Sequence, residues 1–289
     1  MSELLKTRAH WQQPGRLALP VAELRQVAHT LRRAVIELVR RQGQGYVQQG
    51  LGAAEIFASL YFNEAHMDPA DPRAPQRDRC ILSTAHNSAL FHAVLALRGM
   101  IPAALLGDYV KDGSALEINV SERLGPVVEG TFGSLGQGLS VAAGMALASR
   151  VSGVPYRVNV VLGDGELQEG QVWEAAMFAG SQRLHNLCVV LDLNWMQAEG
   201  HTDQVVKIGP VADKWRAFNW QVVEVDGHDL DALLAAFAQA RGQAAQPTMI
   251  IATTVPGKAV SMLEGVISHN AKLPADVAEA ALRELGETA

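Results

Sequence analysis

The chain has 289 residues, of which 48% are hydrophobic and 19% charged, and this is ordinary for a globular protein of one or two domains. A formal net charge of −6 without a long Lys/Arg run excludes a typical nucleic-acid surface. Cys80 and Cys188 offer neither a disulfide framework nor metal-ligand spacing, and no export signal or bilayer-length apolar stretch is visible. We therefore expect a cytoplasmic protein without membrane contact.

Hydrophobic periodicity and turn residues predict an N-terminal arm over residues 1–20 and one domain over residues 21–289. In chain order, the domain is predicted to contain a helix at 21–41, a glycine-rich loop at 43–52, a helix at 53–62, a strand at 80–83, a helix at 88–97, a small-residue helix at 142–148 opened by the glycine-rich stretch 133–138, a strand at 158–162, a helix at 171–184, a strand at 186–191, a strand at 221–225, a helix at 230–241, a strand at 248–252, a loop beyond 258 and a helix at 275–285.

Strands and helices alternate through most of this order. Such alternation is typical of α/β proteins, in which crossover helices connect parallel strands. We therefore predict a mostly parallel sheet with helices on both faces.

Asp164 and Asn194 each follow a predicted strand, and 30 residues separate them. The segment between them reads as strand–helix–strand, which returns the second strand parallel to the first. Both side chains are then expected just beyond the carboxyl ends of neighbouring strands, where open α/β sheets bind ligands. A carboxylate, an amide oxygen and a nearby backbone carbonyl suit Mg²⁺ or Ca²⁺.

This segment resembles the thiamine-diphosphate motif, which starts with Gly-Asp-Gly (163–165 here) and ends in Asn194. The residues between, including Glu169-Gly170, Trp173-Glu174-Ala175 and 184–187 (LHNL), are similar to transketolase in particular. The resemblance extends over about residues 21–274 and implies the thiamine-diphosphate-binding fold, specifically its diphosphate-binding domain. It also implies that Asp164, Asn194 and the Met196 backbone oxygen hold the metal, and that Gly165 lies at the cofactor.

The same resemblance implies further roles at the cofactor. His86 matches a family Gly-His-Gly-Ser position, and His269 resembles the histidine of a late Ser-His-Gly. Glu169 matches an acid that lies between the paired cofactors of the dimer. These three residues are expected to be catalytic and to contact the cofactor. Gly133 and Leu135 match positions that pack on the pyrimidine ring.

Two positions depart from the family pattern. Tyr46 stands where transketolases have the histidine of Ser-Gly-His-Pro-Gly, and Asn119 stands where a later Gly-His-Pro is found. In the family, both histidines hydrogen-bond donor hydroxyl groups. Tyr46 and Asn119 can still form hydrogen bonds, but with a different reach and without titrating near neutral pH. We therefore expect an unusual or modified sugar as donor.

The chain has length for only the first part of a transketolase. The resemblance thus implies a separate C-terminal subunit that carries the pyrimidine-binding domain, and a heterotetramer of two plus two chains. The implied reaction moves a two-carbon ketol unit from a ketose to an aldose, with thiamine diphosphate and Mg²⁺. Two alternatives remain open at this point: a subunit of another thiamine-diphosphate-dependent carboligase or dehydrogenase, and a non-catalytic homologue that binds cofactor or partner.

Overall fold

A sheet of five parallel strands forms the centre of the structure, a computed structural model that describes Leu5 and residues 7–287. The strands that it describes are β1 (Gln44–Gly45), β2 (Arg79–Leu82), β3 (Val158–Gly163), β4 (Leu187–Leu193), β5 (Met196–Gln197), β6 (Gly200–His201), β7 (Gln221–Asp226), β8 (Thr248–Thr253) and β9 (Ala271–Lys272). The central sheet has the order β2-β3-β4-β8-β7. Two antiparallel pairs, β1 with β9 and β5 with β6, lie outside it.

Helices surround this sheet. In the described residues they are α1 (Val21–Arg40), α2 (Val47–Gly52), α3 (Ala54–Ser59), α4 (Ser88–Leu97), α5 (Gln137–Ser152), α6 (Gly170–Ser181), α7 (Thr202–Val205), α8 (Val211–Ala217), α9 (Leu230–Gly242) and α10 (Ala275–Glu287). A π-helical turn, Leu60–Glu64, continues α3. None of the described helices is both long and apolar enough to cross a membrane.

The sheet separates two apolar cores because side chains alternate between the faces of a strand. Val161 and Val190 point into a core with α1, α3, α4 and α9. Their neighbours Val160 and Val189 point into a second core with α5, α6 and α8. Burial on both faces explains the continuous apolar runs of β3 and β4. The predicted α/β fold with helices on both faces is confirmed.

Two local differences from the sequence prediction occur in segments that were predicted to be loops. The loop predicted at 43–52 instead contains β1 and the helix α2, which is buried throughout despite Gly50 and Gly52. Glycine is tolerated there because close packing needs it: a Cβ at Gly50 would lie 3.0 Å from Val35. The loop predicted after residue 258 is interrupted by β9, which pairs with β1.

The predicted N-terminal arm packs on the body of the domain where it is described. Trp11 is 2% exposed, and the buried Arg98 side chain donates hydrogen bonds to the carbonyl oxygens of Trp11, Gln13 and Gly15. Residues 1–4 and 6 of the arm, and residues 288–289 of the predicted domain, lie outside the described residues.

Candidate functional site

The carboxyl ends of β3 and β4 bring the Gly-Asp-Gly segment and Asn194 together. Gly163, the last residue of β3, pairs with Asp192 of β4 in the parallel ladder. Asp164 and Asn194 therefore follow two neighbouring strands at the same edge of the sheet, as the sequence predicted. Their side chains are almost completely buried, with 1% and 7% exposure of the residues.

Two backbone N–H groups donate to Asp164, and one of them belongs to a strained turn that follows Asn194. Trp195 has a φ of 60°, in the left-handed region that costs a non-glycine residue about 1 kcal/mol or more. In this conformation its N–H donates to Asp164 Oδ2 at 2.6 Å, while Gly165 N–H donates to Oδ1 at 2.8 Å. Backbone strain of this kind clusters at functional sites.

Asn194 is held by a second carboxylate. Its Nδ2 donates to Asp192 Oδ2 at 3.0 Å, which orients its Oδ1 toward the Met196 N–H at 2.9 Å. Thr254, just after β8, donates to the other oxygen of Asp192.

Burial raises the pKa of Asp164 to about 8, with the charge of Asp192 as the second cause, and burial raises the pKa of Asp192 to about 6. Two buried acids so close together call for a nearby positive charge.

Glu166 joins three segments behind this edge. Its carboxylate accepts hydrogen bonds from Ser83 Oγ after β2, from Gly136 N–H at 2.7 Å before α5, and from Gly163 N–H at 3.3 Å. The residue is 2% exposed, and burial raises the pKa of its carboxyl group. The sequence indicates no specific role for Glu166, and the only local signal is its place directly after a buried strand and the Gly-Asp-Gly turn.

Three aromatic rings from distant segments meet at the same site. The His86 and His269 ring centroids are 4.3 Å apart, and the Tyr46 ring lies 5.0 Å from His86 and 5.3 Å from His269. Burial lowers the pKa of His86 to about 4, with the charge of His269 as the second cause. Burial also lowers the pKa of His269 and raises that of Tyr46. At neutral pH the cluster is therefore uncharged.

A cavity of about 250 Å³ connects these groups. The predicted site residues that line it are His86, Leu135, Asp164, Gly165, Glu169, Asn194, Met196 and His269. Tyr46 is not among the lining residues, but its ring contacts the two histidines that are. Gln49 and Thr84, which sequence analysis did not select, also line the cavity.

Asn119 and Gly133 lie together but apart from the residues that line the cavity. Both are exposed, and a Cβ at Gly133 would lie 3.6 Å from the Asn119 side chain. The structure therefore groups most of the predicted residues at one cavity and places these two on a neighbouring surface.

The cavity lining is rich in acidic side chains. The acids that line it are Asp164, Glu166, Glu169 and Glu199, and its described lining contains no lysine or arginine. This lining would repel a diphosphate alone, and a divalent cation would offset the repulsion between the carboxylates and the diphosphate. Carboxylate, amide and carbonyl oxygens are the ligands that such hard cations take. No cluster of three or more His, Cys, Asp or Glu side chains suited to a metal occurs in the described part of the chain. The predicted set needs only one such residue, Asp164.

Comparisons with a family model and with known proteins all indicate the same family. Residues 24–288 match the family model described as transketolase, thiamine diphosphate binding domain. The chain is 40% identical to the 6-deoxy-6-sulfo-D-fructose transketolase subunit SqwG of Clostridium sp. (strain MSTE9), over 91% of this chain and 96% of that protein. It is 31% identical to one subunit of the apulose-4-phosphate transketolase of Phocaeicola vulgatus, over 89% of this chain and 91% of that protein.

A solved structure of transketolase from Campylobacter jejuni superimposes with a TM-score of 0.87 and 29% identity, over 93% of this chain but 43% of that one. The chain thus aligns with individual transketolase subunits over nearly their whole length, and with less than half of a single-chain transketolase. It belongs to the transketolase family, as a thiamine-diphosphate-binding N-terminal subunit of a split enzyme.

Proposed function

We propose that this chain, with a separate subunit that carries the pyrimidine-binding domain, transfers a two-carbon ketol unit from a ketose to an aldose. The observation that carries the proposal is the cavity that joins the Asp164–Asn194 edge to the cluster of Tyr46, His86 and His269. This arrangement supports the proposal because oxygen groups suited to a metal–diphosphate lie next to neutral groups suited to sugar hydroxyls.

Asp164, Asn194 and the Met196 carbonyl oxygen would hold Mg²⁺, for which Ca²⁺ could substitute at the same oxygen ligands. The buried acids support this role because a divalent cation would stabilise the ionised form of Asp164, whose pKa burial raises to about 8. Asp192 supports it indirectly, since it fixes the orientation of the Asn194 amide. Glu169, at the exposed rim of the cavity, would contact the cofactor.

Thiamine diphosphate, when bound, would supply the nucleophilic carbon and hold the electron pair of the bond that breaks. The residues of this chain would orient the donor and handle its protons. His86 and His269 suit that task because their lowered pKa values keep both imidazoles neutral at pH 7 and able to accept a hydrogen bond or a proton. Tyr46, packed against both rings, would donate to a donor hydroxyl.

The donor is proposed to differ from the usual ketoses. Tyr46 occupies the place of a family histidine, and its ring closes one side of the histidine pair. Asn119 would contact only a part of the donor that extends toward Gly133. Relatives named for 6-deoxy-6-sulfo-D-fructose and for apulose 4-phosphate support an unusual or modified sugar. A panel of such donors, with xylulose 5-phosphate as reference, tests this; the idea fails if xylulose 5-phosphate is best.

An apolar surface supports assembly into a heterotetramer of two plus two chains. On α5, Val141 and Val151 are 38% and 79% exposed, and on α6, Met177 and Phe178 are 56% and 43% exposed. Patches of this kind mark protein interfaces. Affinity purification of the tagged chain should retain a second polypeptide, and light scattering should give the mass of two copies of each. Robust turnover by the chain alone would contradict the proposal.

The metal site is tested by Asp164→Ala, measured by calorimetry of thiamine diphosphate binding to the two-subunit complex with and without Mg²⁺. We expect at least about a 100-fold loss of Mg²⁺-dependent affinity, because removing the carboxylate removes the only charged ligand of the proposed set. Asp112→Ala, at an exposed loop position, is the control and should bind normally. Unchanged Mg²⁺-dependent binding in Asp164→Ala would refute the assignment.

A further inference from the structure

Two distant segments are joined beside the cavity, and together they carry Tyr46 and His269. The first segment runs from residue 43 to 50, and the second from 257 to 273. The β1–β9 pairing, a hydrogen bond from Gly257 N–H to Gln48 O at 2.9 Å, and one from Leu273 N–H to Gly43 O at 2.8 Å hold them together. A fourth link comes from a side chain: Gln49 Nε2 donates to the His269 carbonyl oxygen at 2.8 Å.

Gln49 is unusual because its burial is costly. The residue is 5% exposed, and its Oε1 is buried without a hydrogen-bond partner in the described residues. A buried, unpaired acceptor costs about 1–3 kcal/mol, which offsets the stability that the Nε2 hydrogen bond contributes. The amide therefore adds little net stability, and its contact with the His269 backbone is the feature that distinguishes it.

The orientation of the amide is fixed. If it were reversed, the carbonyl oxygen of Gln49 would face the carbonyl oxygen of His269, and the two acceptors would repel each other. Gln49 can therefore serve His269 only through its N–H. The contact lies on the backbone of His269 itself, in a segment that has little other regular structure between residues 257 and 270.

We propose that Gln49 is a positioning residue, whose amide holds the His269 backbone so that the imidazole stays against His86 and Tyr46. The inference rests on the proposed function, in which His269 acts on the donor. A catalytic group displaced by about 1 Å can cost on the order of 100-fold in rate, so one hydrogen bond to its backbone is worth keeping.

The test uses Gln49→Met, with Gln48→Met as a matched control. Gln48 is the adjacent residue of α2, is 1% exposed, and also has a buried Oε1 without a partner, but it does not line the cavity. Gln49→Glu is the second variant. It keeps the volume of the side chain, yet a carboxylate cannot donate to the His269 carbonyl oxygen.

The first measurement is on the full chain, where the imidazole Cε1–Hε1 NMR signal of His269 is assigned by comparison with His269→Asn. We expect Gln49→Met and Gln49→Glu to shift or broaden this signal, and Gln48→Met to leave it unchanged. The second is on the two-subunit complex, where kcat should fall about 10- to 100-fold in both Gln49 variants while KM and thiamine diphosphate affinity stay within about threefold.

An unchanged His269 signal in both Gln49 variants would overturn the inference, as would an equal effect in Gln48→Met, since that would indicate general packing. The proposed function has a separate criterion. If the wild-type complex turns over no ketose, that proposal fails, whereas the NMR result alone decides whether Gln49 orders His269.

Discussion

Replacing Glu166 by alanine should destabilise the domain by about 3 kcal/mol. The substitution removes the acceptor of three hydrogen-bond donors, which are the Ser83 hydroxyl and the N–H groups of Gly136 and Gly163. The site is buried, since Glu166 is 2% exposed. A hydrogen bond to a charged group contributes about 1.5–3 kcal/mol. The desolvation that raises the pKa of Glu166 offsets part of this sum, so the net loss is smaller than three full bonds.

The isosteric Glu166→Gln should lose about half as much, because one acceptor oxygen remains while the new NH₂ group faces a donor. Urea unfolding at pH 7, followed by circular dichroism, measures both variants. Glu279→Ala, an exposed acid on α10, is the control and should stay within about 0.5 kcal/mol of wild type. A Glu166→Ala variant within about 1 kcal/mol of wild type would show that the carboxylate does not hold the three segments together.

Three further predictions concern buried groups outside the proposed metal set. Gly138→Ala should lower the free energy of unfolding in urea by about 1–3 kcal/mol and weaken cofactor binding, because a Cβ at this position would overlap the Ser83 side chain. An unchanged free energy of unfolding would mean that the start of α5 can shift to make room. Glu55→Gln should lower the free energy of unfolding by about 3 kcal/mol, because it removes the charge that pairs with the buried Arg32 guanidinium, whose Nη1 and Nη2 donate to the two Glu55 oxygens at 2.7 Å and 2.6 Å. A loss below about 1 kcal/mol would contradict this. Burial lowers the pKa of His92 to about 3, so between about pH 6.5 and pH 3 the unfolded chain binds a proton at His92 that the folded chain does not bind. The free energy of unfolding is therefore unaffected by this residue above about pH 6.5, and it falls by about 3 kcal/mol by about pH 4.5. His92→Leu should reduce the acid loss by that amount, and equal pH profiles would refute the assignment.

The central part of the fold followed from local sequence features. The apolar runs of β3 and β4, buried on both faces, and the helical periodicity of α1 and α9 are properties of adjacent residues, so they could be predicted directly. The same holds for the position of Asp164 and Asn194, because the carboxyl ends of neighbouring parallel strands must meet at one edge. The resemblance to transketolase, from which most site residues were named, also rests on short local motifs.

Contacts between distant segments could not be predicted in this way. The glycines of α2 suggested a loop, and only packing against Val35 and the rest of the core makes a helix the stable state there. Glu166 reads as an ordinary acid until Ser83 and Gly136, separated from it by 83 and 30 residues, are seen to bond it. The amide of Gln49 meets a carbonyl oxygen 220 residues away.

The sequence by itself therefore determined the five strands of the central sheet, most of the helices that pack on it and the edge at which the proposed metal ligands lie, because backbone periodicity and strand direction depend on neighbouring residues. The tertiary structure decided which groups surround that edge. Burial and partners depend on chain segments that meet only after folding. Burial shifts the pKa values of Asp164 and His86, and the path of the chain leaves Asn119 outside the cavity lining.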